Sequence, residues 1–129
     1  MLPRFDTKRR LTALYVRCSP KEFNCPSNEE QLHILMEYCI REQIPVYKAF
    51  FSACDEKESL QYLKQLAREL PPNVRRFLAL RFHRYSNNMS SLLSVSEEIH
   101  EETGVDLYSI ELPAPIQRYN RNPAGDPED

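Results

Sequence analysis

Four short apolar runs alternate with stretches of helical periodicity, and that alternation limits the chain to few architectures. Leu11–Cys18, Val46–Phe51, Arg76–Phe82 and Asp106–Leu112 are rich in β-branched, aromatic and leucine side chains, and read as strands. Between the first two, Ser27 and Glu30 form a capping-box signature, and Leu32, Leu35, Met36, Cys39 and Ile40 follow at helical spacing, with Pro45 marking the exit. A charged loop over 52–58 leads to a second helix on Leu60, Leu63, Ala67 and Leu70, which Pro71 and Pro72 stop. Met89, Leu92, Leu93 and Ile99 mark a third helix, with Gly104 as its C-terminal cap. Strands joined by single helices close into a parallel sheet with right-handed crossovers. The expected fold is α/β, in three layers, with a mostly parallel sheet of four to five strands and helices on both faces.

The chain has 129 residues, enough for one core. With 41% hydrophobic residues its body has the material to fold, so disorder is excluded there. The expected division is a mobile basic leader over 1–10, a folded domain over 11–113 and a proline-rich polar tail over 114–129. A net charge of −2 does not fit a dedicated nucleic-acid-binding module, which is normally basic. The four cysteines form no C-x-x-C pair and the three histidines are scattered, so no zinc site or redox motif is indicated. They read as reduced thiols. No apolar run approaches the roughly 20 residues of a membrane span, and the first ten residues lack the apolar core of a signal peptide. A cytoplasmic protein without membrane contact is expected.

Open parallel sheets hold their ligands at the carboxyl ends of the strands. Arg17, Cys18 and Ser19 follow the first strand here, and His83, Arg84, Tyr85 and Ser86 follow the third. Taken singly, each has a plain structural reading. Ser19 can be a loop or capping serine, the arginines solvated surface charge, His83 a hydrogen-bonded strand end, and Tyr15 and Tyr85 core packing. Strand alternation turns Cys18 away from Arg17 and Ser19.

Tyr15-Val16-Arg17-Cys18-Ser19 resembles the Y-x-R-x-S signature that opens the catalytic domains of the serine recombinases, the resolvase, invertase and large integrase group. Gln31 is similar to a glutamine that this family keeps at the start of its first helix. Arg81-Phe-His-Arg-Tyr-Ser-Asn-Asn88 resembles the family's K-L-D-R-L-S-R-N segment after the third strand, and Asn122-Pro-Ala-Gly125 its T-P-x-G. The likeness spans residues 11–125. It implies a resolvase-like fold and DNA as partner, reached through additional segments or partners, with homo-oligomers as the working state. It implies Ser19 as the nucleophile that becomes linked to a 5′ phosphate, without metal or other cofactor. Arg17 and Arg84 would then clamp the phosphate and Gln31 would support them. His83 and Asn87 would line the binding site at the family's aspartate and second arginine positions.

Several positions depart from the pattern. His83 replaces the acid, Asn87 replaces an arginine, Pro20 replaces the usual threonine, and a glycine-bearing loop has no counterpart in 52–60. Losing oriented cations costs a phosphoryl-transfer site orders of magnitude in rate. A catalytically inactive resolvase-like protein that acts through protein interaction or regulation is therefore the alternative expectation. A third is an unrelated phosphate- or nucleotide-binding α/β domain, although no P-loop or G-x-G-x-x-G string is present.

Overall fold

The computed structural model describes residues 11–18, 25–53, 56–111 and 116, with the backbone alone at 56 and 57. The leader over 1–10, Ser19, and the tail apart from Ile116 lie outside them. The elements run β1 (Leu11–Arg17), α1 (Asn28–Glu42), β2 (Val46–Ser52), α2 (Glu56–Glu69), β3 (Val74–Ala79), a short 3-10 turn (Phe82–Arg84), α3 (Met89–Thr103) and β4 (Asp106–Ser109). The sheet order is β2-β1-β3-β4 and every pairing is parallel.

Strand β1 is central because its side chains suit burial on both faces. Residues 12–17 are all buried. Leu14 and Val16 face α1, where Leu35, Cys39 and Leu78 complete one core. Ala13 and Tyr15 face the other way, into a larger core built with Leu60, Leu63 and Leu66 of α2 and Leu92 and Ile99 of α3. One helix covers one face and two cover the other, which makes the three layers. No helix among the described residues is long and apolar enough to cross a membrane.

Local chemistry sets the helix ends. Ser27 Oγ accepts from Glu30 N at 3.1 Å, and Glu30 Oε1 accepts from Ser27 N at 2.9 Å, so the capping box is reciprocal. Helix α1 ends with Gln43 in the left-handed region, at φ 59°. Helix α3 starts on the Asn88 side chain and ends on Gly104, at φ +79°.

Several boundaries differ from the sequence expectation. β3 ends at Ala79, not at Phe82, because the chain there turns back over the end of β1 and seats Tyr85 against Tyr15, with ring centroids 5.5 Å apart. β4 ends at Ser109, whose hydroxyl accepts from Glu111 N at 3.2 Å and so turns the backbone off the ladder. α2 begins at Glu56, inside the expected loop. Ile40, placed on the apolar face of α1 by its spacing, is 72% exposed because Leu35 and Cys39 already fill the contact with the sheet. Ile116, expected in the polar tail, is buried in the larger core.

Candidate functional site

The order β2-β1-β3-β4 sends the chain from β1 outward to β2, then back across to β3 on the other side. The crevice between the carboxyl ends of β1 and β3 is thus the switch point, where such sheets bind ligands. Arg17 ends β1 there, and the segment after β3 returns over it.

Arg17 is only 1% exposed. A guanidinium taken out of water must find acceptors, and Arg17 uses backbone carbonyls. Its Nε donates to Arg84 O at 2.7 Å and its Nη2 to His83 O at 2.9 Å. Arg84, also buried, answers in kind, with Nη1 donating to Arg17 O at 2.8 Å. Each arginine side chain therefore holds the other's main chain. The planar fork of Arg17 reaches two successive carbonyls of the 3-10 turn from two separate nitrogens, where a lysine would offer only one.

Gln31 joins them from the first turns of α1, fully buried. Its Nε2 donates to Arg17 O at 2.9 Å and to Pro26 O at 2.9 Å. Two carbonyl partners fix the amide orientation, since only the nitrogen can donate to them. The Oε1 atom is then left as a buried acceptor with no donor among the described residues. Arg17 O receives Arg84 and Gln31 together, so the backbone two residues ahead of Ser19 is held from two elements at once.

Cys25 completes the cluster, with Arg84 Nη1 3.0 Å from its sulfur and Gln31 Nε2 at 3.8 Å. By its sequence Cys25 is one more reduced thiol; the fold sets it against Arg84. Cys18 is half-buried, and its N–H donates to Ser52 O at 3.2 Å, which continues the β1–β2 ladder.

Among the other expected residues, the His83 side chain is exposed and only its carbonyl takes part, accepting Arg17. Asn87 is exposed as well. Its neighbour Asn88 accepts from Ser91 N at 3.0 Å as the cap of α3. Beneath the site, Tyr15 and Tyr85 stack with both rings fully buried, and Tyr85 donates to Tyr108 O at 2.6 Å. Burial raises the Tyr85 phenol well above its ordinary value, partly opposed by that backbone bond. The site therefore rests on an aromatic floor.

No protein-family model matches the chain, and no curated protein matches it. Solved structures do. The N-terminal catalytic domain of TP901-1 integrase superposes with TM-score 0.61 at 16% identity, over 79% of this chain and 78% of that one. The C-terminal catalytic domain of ISC1926 TnpA, an IS607-like serine recombinase, superposes with TM-score 0.59 at 16% identity, over 85% of this chain and 75% of that one. The fold is thus that of serine recombinase catalytic domains.

Proposed function

We propose that this chain is a serine-recombinase-type catalytic domain that cleaves and rejoins DNA through Ser19. One observation carries the reading: at the switch point, the carbonyl of Arg17 is gripped by Arg84 and Gln31 together. The grip holds the last residue of β1, two positions before Ser19 in the sequence. A serine hydroxyl attacks a phosphodiester only when it is aimed and relieved of its proton.

In the proposed reaction the Ser19 oxygen forms a bond to phosphorus and gives up its proton. The bond from phosphorus to the 3′ oxygen breaks, and that oxygen leaves as a hydroxyl after taking up a proton. The product is a 5′-phosphoserine link. Attack by a 3′ hydroxyl reverses the step and restores Ser19, so the bond energy is kept. Arg17 and Arg84 act first as positioning residues through their mutual backbone bonds. Gln31 offers its buried Oε1 as an acceptor at the same strand end. The exposed side chains of His83 and Asn87 are available to a DNA strand crossing the crevice. The DNA is engaged by a homo-oligomer, with further segments or partners adding affinity.

A second reading has its own observation. Both guanidiniums spend N–H donors on backbone carbonyls, which is what a retained structural knot requires. On that reading the fold serves protein interaction or regulation, and Ser19 has no chemical role.

A single experiment separates the two. The full chain is incubated with a library of nicked duplexes of randomised sequence, and protein–DNA adducts that survive denaturation are collected. The recombinase reading expects an adduct at Ser19 by peptide mass spectrometry, absent from Ser19→Ala. Absence of any adduct, or an adduct that persists in Ser19→Ala, overturns it. An adduct at Ser19 removes the second reading.

A further inference from the structure

Arg76 is a half-buried cation beside an apolar layer of the core. Its register, opposite Thr12 of β1 and Asp106 of β4, places it mid-sheet. It lies on the face covered by α1, the layer of Leu14, Val16, Leu35 and Leu78. Its Nε donates to Thr12 Oγ1 at 2.6 Å, and its guanidinium carbon stands 5.9 Å from the centre of the Tyr108 ring. Among the described residues no carboxylate lies within ion-pair distance of it.

A cavity of about 140 Å³ opens beside it between α1 and the sheet. Ile44, Leu78 and the rings of Tyr38 and Tyr108 supply apolar wall, while Arg76 and Thr12 supply the polar side. The polar groups are short of acceptors rather than donors. Thr12 Oγ1 is already accepting from Arg76, so its hydroxyl keeps its hydrogen to give. A half-buried guanidinium with a hydroxyl hydrogen beside it suits an anion.

We propose that this cavity binds a small carboxylate with an apolar body, held at its carboxyl end by Arg76. One guanidinium balances one negative charge, and the apolar walls would leave the second charge of a phosphate dianion unpaired. A cavity of this size is on the scale of one benzene ring, which suits a single aromatic or branched aliphatic acid. The site is separate from the Ser19 end of the sheet. Thr12 precedes Arg17 by five residues, about 16 Å along an extended strand, and the two side chains lie on opposite faces. The inference therefore stands or falls independently of DNA cleavage.

The test is an amide NMR titration of the full chain with benzoate, and separately with inorganic phosphate. Benzoate is expected to give saturable shifts at Thr12, Tyr38, Ile44, Arg76 and Tyr108, with a dissociation constant on the order of 1 mM. Arg76→Met is expected to weaken binding at least tenfold with the spectrum otherwise preserved. If Arg76→Met does not fold, Ile44→Phe, which fills the cavity and keeps the guanidinium, is expected to do the same. No saturable shift with benzoate overturns the inference, as does binding unaffected by either substitution. Tighter binding of phosphate than of benzoate overturns the choice of carboxylate.

Discussion

Arg17 carries the site more by what it holds than by its charge. Its two bonds to the carbonyls of His83 and Arg84 close the 3-10 turn onto the end of β1, in a setting that is 1% exposed. Hydrogen bonds involving a charged group contribute about 1.5–3 kcal/mol each, and cutting the side chain leaves buried carbonyls without donors. Arg17→Ala is therefore expected to destabilise the fold by about 2–4 kcal/mol in urea unfolding, beyond any effect on DNA chemistry. Arg17→Lys should recover less than half of the loss, since one rotatable ammonium replaces two donor nitrogens held in a fixed fork. Tyr85 gives a second test at this scale. Its phenol is raised above the ordinary tyrosine value because burial penalises the phenolate. A pKa raised in the folded state means that the folded chain binds the proton more tightly than the unfolded one. Its contribution is thus full below the unfolded pKa of about 10 and is lost as pH rises beyond it. The alkaline fall in stability should be shallower in Tyr85→Phe than in the native chain, while near neutral pH the variant loses about 1 kcal/mol with the bond to Tyr108 O. Equal alkaline slopes in urea melts of the two proteins would refute this.

At the scale of elements, the two helix exits make an opposed pair. α3 leaves through Gly104 at φ +79°, and among the described residues a Cβ there would meet only Arg75 Nη1, at 3.9 Å. Space is not the constraint, so Gly104→Ala is expected to cost about 1 kcal/mol from the left-handed backbone alone. α1 leaves through Gln43 at φ 59°, where the same conformation is imposed on a residue with a Cβ. Gln43→Gly should therefore stabilise by about 0.5 kcal/mol, and thermal melts of both variants should shift in opposite directions. The Gly104 exit was readable in the sequence, because glycine after a periodic segment is a distinct signal. The Gln43 exit was not, since nothing local marks a glutamine for the left-handed region. The same contrast runs through the sheet. The strand-helix alternation and the central place of Leu11–Arg17 were legible from residue types, because both faces of β1 had to be apolar. The end of β3 was not: Leu80, Arg81 and Phe82 continue a strand pattern, and only the docking of Tyr85 on Tyr15 turns the chain. In the site, Arg17, Gln31 and Arg84 were legible as a group through the family resemblance. Their bonding to each other's backbone was not, because a sequence pattern carries no direction for a guanidinium. Cys25 escaped for the same reason, since its contact with Arg84 spans 59 residues.

For the whole molecule, the question is how a domain proposed to act on DNA meets a polyanion with 17 basic and 19 acidic residues. The described arginines are largely committed. Arg68 pairs with Glu102 at 2.9 Å and Arg81 with Glu111 at 3.3 Å. Arg75 donates to the carbonyls of Pro71, Pro72 and Thr103, and Arg76 lies under α1. Phosphate contacts drive non-specific binding by releasing counterions, and each neutralised phosphate adds about −0.9 to the slope of log affinity against log salt. Among the described residues few cations are uncommitted, so that part of the chain offers few such contacts. The chain alone is therefore expected to bind a labelled duplex of about 40 base pairs no more tightly than about 10⁻⁴ M near 150 mM salt, with a slope shallower than about −3. Fluorescence anisotropy across a salt series measures both quantities. A micromolar affinity with a steep slope would contradict this charge accounting and point to the Lys8-Arg9-Arg10 cluster. Replacing those three residues with alanine should then flatten the slope by about 2–3. With weak binding by the chain itself, cleavage through Ser19 would depend on affinity supplied by a second copy or by a partner. The adduct yield should then rise with protein concentration far more steeply than binding at one site allows.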